Sequence, residues 1–127
     1  MDVIDTHILN FSEENRYKYL TLCEFILSCH PEIQVQKKYG IPFFINKGNL
    51  IYIGHNSKLN EFYLGFMHGQ ILNREFTIIS LSDTKLVGKW YYNSDEQFEK
   101  DKNKLRSSVL RSIELNSTKK QHAETRE

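Results

Sequence analysis

Cys29 and His30 stand side by side in this 127-residue chain, and a thiol beside an imidazole is the pairing of a nucleophile with its activating base. Their adjacency argues against that use. Both close an apolar-periodic segment, and neighbouring helical residues point about 100° apart, so the two side chains diverge. The two cysteines, Cys23 and Cys29, are six positions apart on that segment. This separates them by roughly 9 Å along a helix axis and about 120° around it, beyond disulfide reach. Both read as buried thiols of a reduced compartment.

The five histidines, His7, His30, His55, His68 and His122, follow no metal-ligand spacing. With the cysteines they do not supply the four short-range ligands of a structural zinc site. Most read as surface or turn residues. His55 and His68 each close a predicted strand. Were those strand ends to meet at the rim of a small sheet, they would hold an anion, a metal ion or a carbonyl, or one would act as a general base. Carboxylates gather twice, as Glu13 and Glu14 with Glu24 farther along, and as Asp95, Glu96, Glu99 and Asp101. Hard cations such as iron favour clustered carboxylates. First-turn carboxylates, however, also complement a helix dipole, and the second group is interleaved with Lys100, Lys102 and Lys104. There is no Gly-rich phosphate loop, Gly-x-Ser-x-Gly elbow or paired CxxC, so no enzyme class is indicated.

The aromatic residues form the most distinctive set. Tyr39, Phe43, Phe44, Tyr52, Phe62, Tyr63, Phe66, Trp90, Tyr91 and Tyr92 all lie on or beside predicted strands. A sheet packs only alternate residues against helices on one face. The others meet solvent, a partner or a ligand, unless they serve only the strand preference of aromatic residues. An uncovered face rich in Tyr and Phe would be a ligand site or a homodimer interface. Its candidate residues are Tyr39, Phe44, Tyr52, Tyr63, His55 and His68.

The elements that must position these residues follow from periodicity. Ser12 before Glu13 and Glu14 starts a helix that runs to about Ser28, with Tyr19, Leu22, Cys23, Ile26 and Cys29 as its apolar stripe, and Pro31 ends it. Residues 3–9 form a short helix or an irregular arm, and residues 31–38 a polar connector with room for a helical turn. Strands are predicted at 41–45, 50–53, 61–67, 77–81 and 86–92, the first two joined by Asn46-Lys47-Gly48-Asn49. Pro42 implies an edge strand, or one that pairs only beyond it. Asp101 caps a last helix striped by Leu105, Val109, Leu110 and Ile113, ending near Asn116. Short connections favour antiparallel pairing. The expected fold is α+β: an antiparallel sheet of four or five strands between an N-terminal and a C-terminal helix, both packed on one face.

Composition sets the outer limits. With 39% apolar, 13% aromatic and 26% charged residues, the chain is in the ordinary globular range. A formal net charge of +1 gives no basic excess for phosphates, so nucleic acid is not an expected partner. No leader or membrane-length apolar run is evident, which makes a cytoplasmic location the expectation and a membrane partner unexpected.

HPEIQVQKKYGIPFF, followed by a Lys-Gly turn, LIYIG and FYLGFMHGQIL, resembles the YdhG-like family. This is a bacterial domain of unknown function with a frataxin-like iron-chaperone branch. The resemblance spans about residues 4–116, and LRSSVLRSIELN resembles the family's final helix. It implies a single domain over residues 1–116 with the same α+β fold; residues 117–127, which lack apolar periodicity, are expected to be a disordered tail. Tyr39, Gly40, Ile41, Pro42 and Phe43 match the signature turn. Tyr63 to Phe66 match the third-strand motif, and His68-Gly69 matches the break after it. Ile71 to Leu86 departs from the pattern, being short and apolar where relatives carry a helical insert and a basic strand. The expected function is a non-enzymatic binding module that needs no cofactor and holds a small ligand or protein partner on an aromatic sheet face. The alternative is a frataxin-like iron-binding chaperone using Glu13, Glu14, Glu96 and Glu99.

Overall fold

A computed structural model of the chain describes residues 3–125, with side chains through residue 118. Among these residues the helices are α1 (Val3–His7), α2 (Glu13–Ser28), α3 (Gly69–Glu75) and α4 (Asp95–Thr125). The strands are β1 (Gln34–Lys38), β2 (Ile41–Ile45), β3 (Asn49–Asn56), β4 (Glu61–Phe66), β5 (Ser80–Leu81) and β6 (Gly88–Tyr91). They form one antiparallel sheet in the order β1-β2-β3-β4-β6-β5. The fold is the expected α+β arrangement with one strand more.

The extra strand is β1, where the sequence reads as a connector. QVQKK offers a single apolar residue, Val35, which pairs with Phe44 and packs on the core. A polar edge strand of this kind discourages pairing with other chains, and it carries no alternation to betray it. Its presence makes β2 an interior strand. Pro42 is accommodated because the β2–β3 ladder begins one residue later, at Phe43.

The helix boundaries have local causes. The Asn15 amide donates to the Ser12 hydroxyl, as the cap of α2 requires. Asp101 does not start the last helix. α4 begins at Asp95, where the Gln97 amide donates to the Ser94 hydroxyl and the Gln97 side chain accepts from the Asn93 amide, a variant of the Ser-x-x-Gln capping box. Asp101 lies within the helix and accepts from the Trp90 indole at 2.9 Å. Helical backbone also continues through 117–125, past Asn116 and into the segment expected to be a tail. Residues 126 and 127 lie outside the described part.

All four helices serve one side of the sheet. Phe44, Ile51, Ile53, Phe62, Leu64, Phe66 and Trp90 point into a core shared with Tyr19, Leu22, Phe25 and Ile26 of α2 and Phe98, Leu105 and Val109 of α4. Each fully buried aliphatic or Phe side chain contributes about 1.5–3 kcal/mol. The inward stripe of α4 differs from the expected one, because Leu110 faces out while Ser108, Ser112 and Asn116 are buried. The two serine hydroxyls donate to carbonyls one turn back, which satisfies them inside the helix groove.

Asn116 ties the far end of α4 to the sheet. Its amide donates to the carbonyls of Asn46 and Asn49 at 3.1 and 3.3 Å, and its oxygen meets His68 Nε2 at 2.6 Å. With the amide nitrogen committed to donation, the oxygen accepts and His68 carries its proton on Nε2. Replacing Asn116 by Ala strips partners from a site only 8% exposed. The expected loss is about 2–3 kcal/mol of stability, read as a lower urea midpoint at unchanged slope; an unchanged midpoint would refute the lock.

Candidate functional site

Period-two alternation sends the intervening side chains of β2, β3, β4 and β6, Phe43, Tyr52, Tyr63 and Tyr91 among them, to the face opposite the helices. There Tyr39, Phe43, Tyr52, Tyr63 and Tyr91 form a continuous row, each ring centroid 5.4–5.9 Å from the next. The row crosses the sheet because the register aligns it: Phe43 is opposite Tyr52, and Tyr63 is opposite Tyr91. Lys89, beside Gly65 on β6, holds its ammonium 4.5 Å from the Tyr63 ring centre.

Two glycines set the centre of the row. Gly54 faces Tyr63 across the β3–β4 ladder and Gly65 faces Tyr52, a reciprocal exchange of ring for hydrogen. A Cβ at Gly54 would overlap the Tyr63 ring, and one at Gly65 the Tyr52 ring. Each ring thus lies over its partner strand's backbone, as aromatic residues do over cross-strand glycines. Burial first, and then the neighbouring Tyr63 hydroxyl, push the Tyr52 phenol well above its ordinary range, so it stays protonated and polar at neutral pH. Phe43 is only 5% exposed, Tyr52 and Tyr63 are half-buried, and Tyr91 and Tyr39 are 37% and 88% exposed. The surface therefore rises from a packed floor to open ends.

The structure gathers Tyr39, Tyr52 and Tyr63 of the expected set and redistributes the others. Phe44 is wholly buried under the helices, and Phe43 takes the open-face position instead. His55 and His68 do not converge, because antiparallel neighbours finish at opposite ends of their ladder. His55 bonds Asn60 at 2.8 Å beside Phe62 and Phe11, whereas His68 joins the Asn116 lock at the other end. Neither reaches the aromatic row. Lys89 and Tyr91 join the row as well; Tyr91 belongs to the aromatic set of the sequence but not to its candidate site residues, although it stands one residue from the core Trp90 and alternation places it on the open face.

The other chemical candidates are dispersed. Among the described residues no three His, Cys, Asp or Glu side chains gather in a metal-holding group. Glu13 and Glu14 lie in the first turn of α2, Glu96 in that of α4, and Glu99 pairs with Lys102 at 2.8 Å. Cys23 is buried; Cys29 caps α2 half-buried, its thiol raised by burial against an opposing effect of Arg106. Also among the described residues, no helix is long and apolar enough to cross a membrane.

On the helix side, a cleft of about 320 Å³ separates α1 from the β1–β2 turn and is walled in part by His7 and Lys37. Partial burial, and then the nearby Lys37 ammonium, hold the His7 imidazole below its usual 6.5. No protein-family model, curated protein or solved structure matches the chain.

Two outcomes are expected. Gly54→Ala or Gly65→Ala drives a ring off the sheet and costs about 1–3 kcal/mol, seen as a lower urea midpoint with altered tyrosine ring resonances; wild-type behaviour would refute the ring-on-glycine packing. For His7, the folded chain binds the proton less readily than the unfolded one. Its stabilising share is therefore intact above pH 6.5 and shrinks as pH falls below that value. Thermal scans should show His7→Gln flattening the decline on that acidic flank.

Proposed function

We propose that the chain is a non-enzymatic binding module whose site is the tyrosine row, taking a ligand or partner that lays a flat apolar surface against it. The observation that carries this reading is Tyr39. Lys38 and Ile41 pair directly, so Tyr39 and Gly40 form a two-residue hairpin turn, with φ of +55° and +79°. Such a turn favours Asn-Gly, since both central positions need positive φ. A tyrosine there carries strain of about 1–2 kcal/mol. It recovers little by packing, being 88% exposed with one edge-on contact to Phe43. Folding does not explain the choice, whereas a contact residue at the end of an aromatic row does.

The mixture of phenol hydroxyls, ring faces and the Lys89 ammonium supports a partner with planar or apolar groups and a few acceptors. The membership in a YdhG-like family suggested by Tyr39-Gly40-Ile41-Pro42-Phe43 and Tyr63 to Phe66 belongs to the same proposal, since those segments supply most of the row. No observation favours the iron-chaperone alternative over it.

Tyr39→Asn tests the reading through a trade-off. Stability should rise by about 1 kcal/mol, while aromatic fragments detected by ligand-observed NMR on the wild type should bind at least threefold more weakly. Tyr63→Ala should abolish their binding. Fragments that bind both variants as they bind the wild type, or a Tyr39→Asn protein that is less stable, would overturn the proposal. Sedimentation velocity on the same samples shows whether the row is used between copies of the chain.

A further inference from the structure

The cleft beside α1 has a composition of its own. His7 of α1, Asn10 of the turn after it and Lys37 of β1 supply its polar wall, while Val3, Gly40 and Pro42 supply the apolar one. Among the described residues no carboxylate lines it and Lys37 has no acidic partner. The volume of about 320 Å³ equals that of about ten liquid waters, enough for a single-ring molecule with one head group. The imidazole is held in place from behind, with the Phe11 and Tyr19 ring centroids 5.5 and 5.4 Å away. Asn10 spends one amide hydrogen on the His7 carbonyl, at 3.0 Å, and keeps the other.

We propose that this cleft binds a small organic anion, a carboxylate or phosphate monoester, with its head between His7 and Lys37 and its apolar body against Val3 and Pro42. Three donors, two from the N-terminal stretch and one from β1, line one concave surface, and charge-assisted hydrogen bonds to an anion are about twice as strong as neutral ones. In the free cleft burial and then the Lys37 ammonium disfavour the imidazolium, and a bound anion offsets both effects. Among the described residues, the titratable groups facing His7 are Lys37 from β1 and Tyr19 from α2. Binding an anion there favours the imidazolium, so affinity rises as pH falls through the His7 titration. The site is independent of the tyrosine row, which occupies the opposite face of the sheet.

The test is an NMR titration of the labelled chain with benzoate and with phenyl phosphate. The proposal expects saturable shifts of the His7 ring and Lys37 side-chain signals for at least one probe, at least tenfold weaker binding in Lys37→Glu, and an upward shift of the His7 titration when the probe is bound. Saturation by benzoate alone identifies a carboxylate site; saturation by phenyl phosphate alone identifies a phosphate site. Lys47→Glu, in the β2–β3 loop, should bind as the wild type does. With benzoate, whose charge is constant there, His7→Gln gives a second reading, with weaker binding that no longer varies between pH 6 and 8. Shifts that never saturate with either probe, or unchanged affinity in Lys37→Glu, would overturn the proposal.

Discussion

The alternation of β3 from Ile51 onward and of β4 is the constraint on which the rest of the molecule depends. Ile51, Ile53, Phe62, Leu64 and Phe66 go to the helices, and Tyr52, Gly54, Tyr63 and Gly65 go to the other side. The register that pairs Ile53 with Leu64 necessarily pairs Gly54 with Tyr63, so the core and the aromatic face are fixed by one choice. A slip by one residue would bury the phenols against α2 and expose the aliphatic core, at a cost far above the stability of a domain this size. The open face is thus specified as firmly as the interior, though it contributes less to folding.

Polar contacts then hold the helices where that core needs them. α4 meets the sheet through Phe98, Leu105 and Val109 and the buried Ser108 and Ser112, and Asn116 at its far end fixes both the β2–β3 loop and His68. At its near end, Ser94 and Gln97 set the first turn, and Asp101 receives the Trp90 indole. Removing any one buried partner exposes the other's desolvation cost, which makes these contacts more consequential than their number suggests. The ion pairs linking Arg111 to Glu75 and Glu114 are surface features and weigh less.

Much of this architecture was legible in the sequence. The helix over Glu13–Ser28, the strands around Phe44, Ile51 and Leu64 and the antiparallel order follow from periodicity and turn residues. What failed had physical reasons. β1 is polar because it is an edge, and Phe43 and Phe44 are adjacent large aromatics, so the assignment of faces turned on a single residue. The start of α4 was signalled by Ser94-x-x-Gln97, but Asp101 looked like an equally good cap until its oxygen was seen to be taken by Trp90. The opposed ends of β3 and β4, which separate His55 from His68, follow from antiparallel pairing itself. The cleft of His7, Asn10 and Lys37 was not readable at all, because only the folded chain brings residues 7 and 37 together.

The account stands on the claim that the tyrosine row meets solvent while its strand neighbours meet the helices. Relaxation of side-chain ring protons by a soluble gadolinium chelate measures this directly. Tyr39 and Tyr91 should be relaxed most and Tyr52 and Tyr63 clearly affected, with Phe44, Tyr19 and Trp90 untouched. If Tyr52 and Tyr63 prove as protected as Phe44, the face is covered and the central claim is wrong.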